Sequence, residues 1–499
     1  MTNIDVEEVT VADLGARMAS GELTARALAE AYLSRIESID AAGPELHSVL
    51  EINPDALAIA DALDAERRDG HVRGPLHGIP VLVKDNIETG DATQTTAGSL
   101  ALEGFPAAHD ATVVERLREA GIVLLGKTNL SEWANFRSMR ASSGWSARGG
   151  QTRNAYALDR NPSGSSSGSG VAVSANLCAA AVGTETDGSI MSPSNVSGIV
   201  GIKPTVGSLS RAGIVPISHT QDTPGPMART VSDAVAMLGA MLGQDPRDAV
   251  TRDAKPFDAL AALDAGRVRS ARIGVARNMA GFHDRVDALL EDALHALRDL
   301  GAEIVDPADV PHADELEEPE LEVLLYEFKA GLEAYLAERP GAGPKTLAEL
   351  IAFNLGHADT ELAIFGQELL EKSSEKGPLT EPTYVEAFAT CVRLAREEGI
   401  DAAIRDYRLD AIVAPTGAPA WLTDHVNGDA YVGGNSSPAA IAGYPSVTVP
   451  MGLIAGLPVG ISFIGPAWSD ASLIGYAFAF ERATSHRRAP RLLLTAGDA

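Results

Sequence analysis

The chain has 499 residues, 45% of them hydrophobic, and 68 acidic against 40 basic side chains give it a formal net charge of −28. This acidic balance argues against nucleic-acid binding and against docking on an anionic membrane surface, since both kinds of surface attract Lys and Arg. The two cysteines, Cys178 and Cys391, form no metal-binding pattern, so we expect no structural zinc.

The location that the sequence predicts is cytoplasmic. Two distant cysteines are typical of a reducing compartment. The acidic start of the chain lacks the basic and apolar segments of a signal peptide, and no apolar run is long enough to cross a bilayer without charges.

In chain order, residues 1–65 predict an N-terminal helical segment packed on the core, with Thr10 or Asp13 as the cap of a first helix and Thr24 as the cap of a second. Residues 66–499 predict one large domain. Its pattern is a helix, a glycine and then a short apolar strand, as in 112–125, and this pattern predicts an α/β fold. The same unit recurs at 287–305.

The rest of the chain adds two long irregular zones and an acidic helical block. The zones cover residues 126–170 and 203–229, and such long stretches without regular structure are usually functional or disordered. Residues 306–400 are helical and acidic, and we expect this block to cap one side of a cleft. Further elements are predicted as a buried helix over 171–182, a helix over 230–243, and strands over 409–414 and 446–451.

A lysine closes the first apolar strand, in the segment GIPVLVKDN at residues 78–86. Residues 79–83 predict a buried strand, and Lys84 follows it directly. A lysine in this position is usually paired with an acid, for example Asp85. The alternative is a desolvated lysine whose pKa falls far enough for it to act as a base, and the residues alone leave both interpretations open.

A glycine–serine run at residues 163–170 leads straight into apolar sequence. Such a run is often a flexible linker, but a linker would not enter a buried element directly, so we expect a loop held at a helix start. The run also contains GxSxG around Ser166, the pattern of the nucleophile elbow in α/β-hydrolases. That interpretation requires a preceding strand and a later histidine motif, and the sequence shows neither.

A second polar turn follows at residues 183–190, with the sequence GTETDGSI. Consecutive backbone N–H groups in such a turn can converge on an anion, and Ser189 at its end is a candidate nucleophile for attack on a carbonyl. The alternative is an ordinary turn.

Taken in order, these segments resemble the amidase signature family over roughly residues 60–485. The resemblance implies a single large α/β domain in which helices cover both faces of a central mixed sheet. The motifs that carry it are GIPVLVKDN at 78–86, TTAGS at 95–99, GKTN at 126–129, GSSSGSG at 164–170, GTETDGSI at 183–190, GIKPTVGSLSRAGIVP at 201–216, DTPGPMART at 222–230, APT at 414–416 and GYPSVTVPMG at 443–452.

The same resemblance implies a catalytic triad of serine, cis-serine and lysine. Ser189 would be the nucleophile, Ser165 the bridging serine after a cis peptide bond, and Lys84 the base. The implied oxyanion hole uses backbone N–H groups of the turn, and neither a metal nor an organic cofactor is implied. The residues carried over to that hole are Thr186, Asp187 and Gly188, together with the N–H of Ser189.

The resemblance also suggests residues around the substrate. Arg211 and Asp222 are expected to orient the loops of the site rather than to react. For the aromatic candidates, ordinary core packing is the alternative to substrate contact. The candidate substrate-binding residues are Trp133, Ala134, Phe136, Trp145, Tyr326 and Phe328.

Segments outside the motifs, at 143–154, 215–227 and 324–333, resemble the branch of the family that releases ammonia from C-terminal peptide amides. The expected substrate is therefore a small-molecule or short-peptide amide. The alternatives are hydrolysis of aryl acylamides, small carboxamides or carbamates by the same triad, and a partner-dependent transamidase-like subunit. Many relatives have glycine where this chain has Asp187, and that carboxylate is expected to point away from the oxyanion and to repel free acids.

Overall fold

The computed structural model describes residues 4–497, which contain thirteen strands and sixteen α-helices. The strands are β1 (Val49–Ile52), β2 (Pro80–Lys84), β3 (Val123–Thr128), β4 (Trp145–Ser146), β5 (Gly150–Gln151), β6 (Ala180–Glu185), β7 (Val200–Lys203), β8 (Thr223–Ala228), β9 (Arg272–Val275), β10 (Glu303–Val305), β11 (Ala411–Pro415), β12 (Ser446–Ile454) and β13 (Leu457–Ile464). The helices are α1 (Val11–Ala19), α2 (Ala25–Arg35), α3 (Ala56–Arg68), α4 (Thr112–Glu119), α5 (Ser167–Ser174), α6 (Met191–Val196), α7 (Val231–Met241), α8 (Asp284–Asp299), α9 (Glu317–Glu338), α10 (Leu347–Gly356), α11 (Ala358–Glu361), α12 (Glu368–Ser374), α13 (Pro382–Val392), α14 (Asp401–Tyr407), α15 (Ser436–Ala442) and α16 (Asp470–Thr484).

Within the described residues, eleven of the strands form one mixed sheet in the order β1-β3-β2-β6-β8-β7-β12-β13-β11-β9-β10. Strands β3, β2 and β6 run parallel to one another, as do β11, β9 and β10, while the strands between these two groups are antiparallel. Every residue of β2, β3 and β6 is buried, as expected for parallel strands with helices on both faces of the sheet. The predicted α/β class with a central mixed sheet is confirmed.

Two helices near the N-terminus begin where the sequence predicts. The Thr10 side chain accepts the N–H of Asp13, and the Thr24 side chain accepts that of Ala27. Residues 1–65 are not helical throughout, however, because β1 lies among them and pairs antiparallel with β3. This edge strand is only partly buried, so it lacks the continuous apolar run that identifies the interior strands.

The predicted helix over 171–182 is wrong in its second half. Helix α5 ends at Ser174, and β6 begins at Ala180 in the middle of the sheet. Between them Asn176 adopts a left-handed conformation with φ +57°, which Asn tolerates better than most residues. Nearly all side chains of this stretch are small and apolar. It therefore has no hydrophobic periodicity that would distinguish a buried helix from a buried strand.

The zone over 203–229 is less irregular than predicted, because β8 lies in it and pairs with both β6 and β7. Pro224 and Pro226 lie inside β8. Because proline lacks the N–H group that pairs in a sheet, the sequence does not predict a strand here. The acidic block over 306–400 contains α9 to α13. No helix among residues 4–497 is both long enough and apolar enough to span a membrane.

Candidate active site

The topology of the sheet brings Lys84 and the turn 186–189 close together. Strands β2 and β6 are parallel neighbours, with Val81 opposite Ala180 and Val83 opposite Val182. Their carboxyl ends therefore lie at the same edge of the sheet, where functional groups of α/β proteins collect. Lys84 is the last residue of β2, and the turn 186–189 follows the end of β6.

Lys84 is completely buried and surrounded by hydroxyl groups. Its Nζ lies 2.7 Å from Ser165 Oγ, 2.8 Å from Thr184 Oγ1 and 3.1 Å from Ser166 Oγ. Burial lowers the pKa of Lys84 from 10.5 to about 7, although the negative charges of Asp222 and Glu185 act against this shift. A substantial fraction of this lysine is thus neutral near pH 7 and able to accept a proton.

Ser165 lies in the loop before α5, fully buried, and the Gly164–Ser165 peptide bond is cis. The Ser165 carbonyl accepts the N–H of Ser131 at 3.1 Å. A side chain at Gly164 would clash with the Ser131 hydroxyl, because there is no room for a Cβ atom beside its Oγ. Glycine at this position therefore allows the loop to approach the segment that follows β3.

The two serine loops are joined through their backbones. The Ser166 N–H donates to the Ser189 carbonyl at 3.1 Å. Ser189 is only 6% exposed. In the described part of the chain, no hydrogen bond joins the Ser189 hydroxyl to that of Ser165, so the structure places both residues at one edge without linking their side chains directly.

The turn 186–189 presents unused hydrogen-bond donors. Among residues 4–497, the four backbone N–H groups of this turn have no protein acceptor. The Glu185 carboxylate instead accepts the next two N–H groups, from Ile190 at 2.7 Å and Met191 at 2.9 Å, and so closes the loop behind the turn. Gly188 has φ +74°, a conformation that side chains rarely adopt. Free backbone N–H groups in a turn can bind an oxyanion where they converge on one point.

Two neighbouring side chains hold Thr186. Its hydroxyl donates to Asp222 at 2.6 Å, and its carbonyl accepts from the Gln221 side chain at 3.3 Å. The other oxygen of Asp222 accepts backbone N–H groups of residues 217 and 218. The Arg211 guanidinium forms an ion pair with Asp248, at 2.7 Å, and also donates to the His219 carbonyl, in the loop that leads to Asp222.

Asp222→Asn is expected to shift the acid limb of the kcat/KM profile toward lower pH. The Asp222 charge favours protonated Lys84, so its removal lowers the lysine pKa further and leaves more neutral lysine in acid. The profile is measured beside that of Asp248→Asn, a carboxylate that does not act on Lys84. An acid limb that shifts equally in both variants, or in neither, would contradict this account.

The candidate substrate-binding residues are separated into several places. The half-buried Ala134 lines a small recess together with Thr186. Trp133, Phe136 and Phe328 share one apolar cluster, in which the Phe136 and Phe328 rings are 5.0 Å apart.

The other two candidates lie outside this cluster. The Trp145 ring packs edge-on against Phe365 at 5.2 Å. Tyr326 packs against Tyr384 in a different cluster and donates its hydroxyl to Glu381 at 2.6 Å. The structure therefore does not bring all six predicted residues to one surface.

A polar cavity of about 290 Å³ opens beside the two serine loops, with Gly164, Asp187 and Gly188 in its wall. Its opposite side comes from residues 421–437, a segment that sequence analysis did not select. No motif or periodicity marks that segment, and only the fold brings it to the site. The side chains that it contributes are Trp421, Asp429, Tyr431, Ser436 and Ser437.

Sequence analysis also missed two site residues: Thr184, which contacts the lysine directly, and Asn86, which contacts Thr184. Thr184 receives a hydrogen bond from Lys84 and one from Asn86, at 3.0 Å. Asn86 belongs to the KDN sequence and Thr184 to the GTETDGS sequence, so position within a motif was the available signal. In the described part of the chain, no group of three or more His, Cys, Asp or Glu side chains has the arrangement of a metal site.

This chain is similar to known proteins over most of its length. A sequence model described as Amidase matches residues 27–474. The native peptide amidase from Stenotrophomonas maltophilia is 51% identical with a TM-score of 0.93, and the alignment covers 97% of this chain and 99% of that one. The peptide amidase PAM in complex with the competitive inhibitor chymostatin is 52% identical, with a TM-score of 0.95 and the same coverage.

A probable amidase of Arabidopsis thaliana is 41% identical over 502 residues, which cover 99% of this chain and 93% of the relative. The family match spans most of the chain, and the structural matches share its whole fold. The protein therefore belongs to the amidase signature family and is a hydrolase that acts on amides.

Proposed function

We propose that the protein deamidates C-terminal peptide amides through an acyl-enzyme on Ser189, with Ser165 as the bridging residue and Lys84 as the base. The observation that carries this proposal is the fully buried Lys84 amine, 2.7 Å from the Ser165 hydroxyl, at the edge where the turn 186–189 presents its free N–H groups.

Acylation begins with neutral Lys84. The lysine accepts the proton of Ser165, and Ser165 accepts the proton of Ser189 as Ser189 Oγ attacks the amide carbon. The carbonyl oxygen becomes an oxyanion, which the N–H groups of residues 186–189 stabilise. Ser165 then donates a proton to the amide nitrogen and recovers one from Lys84, the C–N bond breaks, and ammonia leaves.

Deacylation repeats these steps with water in place of Ser189. The water loses its proton to Ser165 and attacks the ester carbonyl, and the same N–H groups hold the second oxyanion. Ser189 leaves as it regains a proton, and the carboxylic acid is released. Water is the only co-substrate in this cycle.

The polar cavity supports an uncharged terminal carboxamide as the substrate group. Asp187 and Asp429 line the cavity, and its lining includes no Lys or Arg. A free carboxylate close to the reactive loops would face these acids without a compensating cation, so a peptide amide is favoured over the corresponding acid. The similarity to peptide amidases supports the same substrate class.

The helical block over 306–400 belongs to this proposal as the cap of the cleft. Phe328 of α9 contacts Phe136, which follows β3, so the block packs directly against a segment near the reactive edge. In this view residues 1–65 are a supporting segment, and residues 66–499 form the hydrolase domain.

The test is ammonia release from a blocked dipeptide amide, measured beside an anilide and an alkyl carbamate, with Ser189→Ala as the control. Fast ammonia release with little cleavage of the other two compounds is the expected result. Faster cleavage of the anilide or carbamate would keep the triad but contradict the peptide-amide substrate. Absence of activity in the isolated chain would favour a partner-dependent subunit.

A further inference from the structure

Three consecutive residues of the segment that follows β3 have a left-handed backbone. The φ angles of Trp133, Ala134 and Asn135 are +50°, +54° and +71°. None of the three is glycine, and of the other residue types only Asn and Asp adopt this conformation with some ease. This left-handed turn is closed by a hydrogen bond from the Phe136 N–H to the Trp133 carbonyl, at 2.9 Å. A backbone of this kind persists only where the surrounding structure holds it.

The left-handed turn forms part of the wall of both cavities beside the serine loops. Ala134 lines the small recess that also contains Thr186, and Asn135 lines the polar cavity together with Gly164. The Asn135 side-chain amide donates at 3.0 Å to the hydroxyl of Ser143, which lines the same polar cavity. The shape of both cavities therefore depends on the conformation of this turn.

A fully buried arginine connects the two ends of the left-handed turn. Arg137 follows the turn and donates through Nη1 to the carboxyl group of Glu132, which precedes it. The other carboxyl oxygen of Glu132 accepts the N–H of Ala147 at 2.7 Å. The Arg137 guanidinium also lies against two aromatic rings, 4.0 Å from the centre of Phe365 and 5.1 Å from that of Trp145. These contacts fix the guanidinium in position and orientation.

The same guanidinium reaches the helical block. It donates to the carbonyl of Glu361 and, at 3.2 Å, to that of Phe365. The Arg137 carbonyl accepts the N–H of Leu369 at 3.1 Å. The buried Glu361 side chain in turn accepts the N–H of Leu100 at 2.7 Å, so this part of the block is itself attached to the core of the protein. The left-handed turn is thus joined through one side chain to the block that packs over it.

We propose that Arg137 is a positioning residue for substrate binding: it holds both ends of the left-handed turn against the helical block and so keeps Ala134 and Asn135 in the cavity walls. Its effect on the substrate rests on the proposed function. The described side-chain hydrogen bonds of Arg137 involve none of the three residues proposed to react. Its loss should therefore weaken binding more than it slows the chemical step.

The experiment begins with Arg137→Lys, which keeps a positive charge but loses the planar fork of donors and its stacking on aromatic rings. We expect KM for a blocked dipeptide amide to rise about tenfold and kcat to stay within about threefold. Hydrogen exchange of the backbone amides in the left-handed turn should become about tenfold faster. The matched control is Arg140→Lys, at an exposed arginine three residues further along, and it should change neither quantity.

A glycine substitution distinguishes a held conformation from a general loss of stability. Ala134→Gly, added to Arg137→Lys, should recover about threefold of the lost KM, because glycine adopts a left-handed conformation without a steric penalty. Ala141→Gly serves as its control, since Ala141 lies in the same loop but has no left-handed φ. No recovery with Ala134→Gly, or equal recovery with both glycines, would overturn the proposal. Unchanged KM and exchange in Arg137→Lys would also overturn it.

Hydrogen exchange requires no substrate, so failure of the proposed function can be told apart from failure of this inference. A wild type that does not hydrolyse the peptide amide would contradict the proposed substrate, and the exchange rates of Arg137→Lys and Arg140→Lys would still decide whether Arg137 holds the turn. If Arg137→Lys does not fold, Glu132→Gln replaces it, since it weakens the same pair while conserving the size of the side chain. Exchange in the turn that stays at the wild-type rate in Glu132→Gln would then overturn the proposal.

Discussion

Ser189→Ala is expected to lower kcat for amide hydrolysis by about 10⁴-fold or more, because the variant cannot form the acyl-enzyme. Residual turnover would come from bound water and the donors of the turn 186–189, which the substitution leaves in place. The Ser189 side chain makes no hydrogen bond among residues 4–497, so the fold should be unchanged. Steady-state ammonia release and a thermal melt of the purified variant measure the two effects separately.

The control for this prediction is Ser166→Ala. The Ser166 hydroxyl donates to the Thr184 carbonyl at 3.0 Å and lies 3.1 Å from Lys84 Nζ, so its loss disturbs the lysine without removing the nucleophile. A decrease of about tenfold is expected. A sulfonyl fluoride that labels Ser189 in the wild type and in Ser166→Ala would support the assignment by mass spectrometry. If instead Ser166 were labelled and Ser189→Ala retained activity, the nucleophile elbow around Ser166 would be favoured.

Lys84→Met is expected to reduce kcat by about 10³–10⁴-fold, since it removes the proton acceptor and keeps a side chain of similar length. In the wild type, kcat/KM should rise about tenfold per pH unit in the acid range and level off above a pH of about 7, where Lys84 is neutral. The residual activity of Lys84→Met should lack this dependence. An acid limb that survives in the variant would assign it to another group.

The same pKa shift predicts a change in stability with pH. In the unfolded chain Lys84 keeps its proton up to its ordinary pKa of 10.5, whereas in the folded protein it releases the proton at about 7. Between these two values the unfolded state binds more protons, so the free energy of unfolding of the wild type rises with pH relative to that of Lys84→Met. Denaturant titrations of both proteins from pH 7 to 10 measure the difference, and a difference independent of pH would mean that Lys84 is charged in the fold.

Several elements could be predicted because a local physical signal marks them. The Thr10 and Thr24 caps, the apolar run that ends at Lys84 and the helix–glycine–strand unit around Gly121 each depend on neighbours in the chain. β1 and β8 could not be predicted in the same way. β1 is an edge strand without a continuous apolar run, and β8 contains Pro224 and Pro226, so tertiary pairing decides both against their local preference.

The sequence by itself determined the family, the fold class and the identity of the residues proposed to react. Each motif, around Lys84, Ser165 or Ser189, is a short continuous stretch of sequence. It can therefore be recognised without knowledge of the fold. The sequence also indicated that Asp187 is unusual, but not what that carboxyl group contacts.

Only the tertiary structure decided how these residues are surrounded. The hydroxyl group that donates to Asp187 lies far away in the chain, on Ser437 of α15. The complete burial that lowers the Lys84 pKa likewise comes from packing around β2. Desolvation and side-chain pairing depend on distance in space. A contact between residues more than one hundred positions apart in the chain produces no periodic pattern from which it could be predicted.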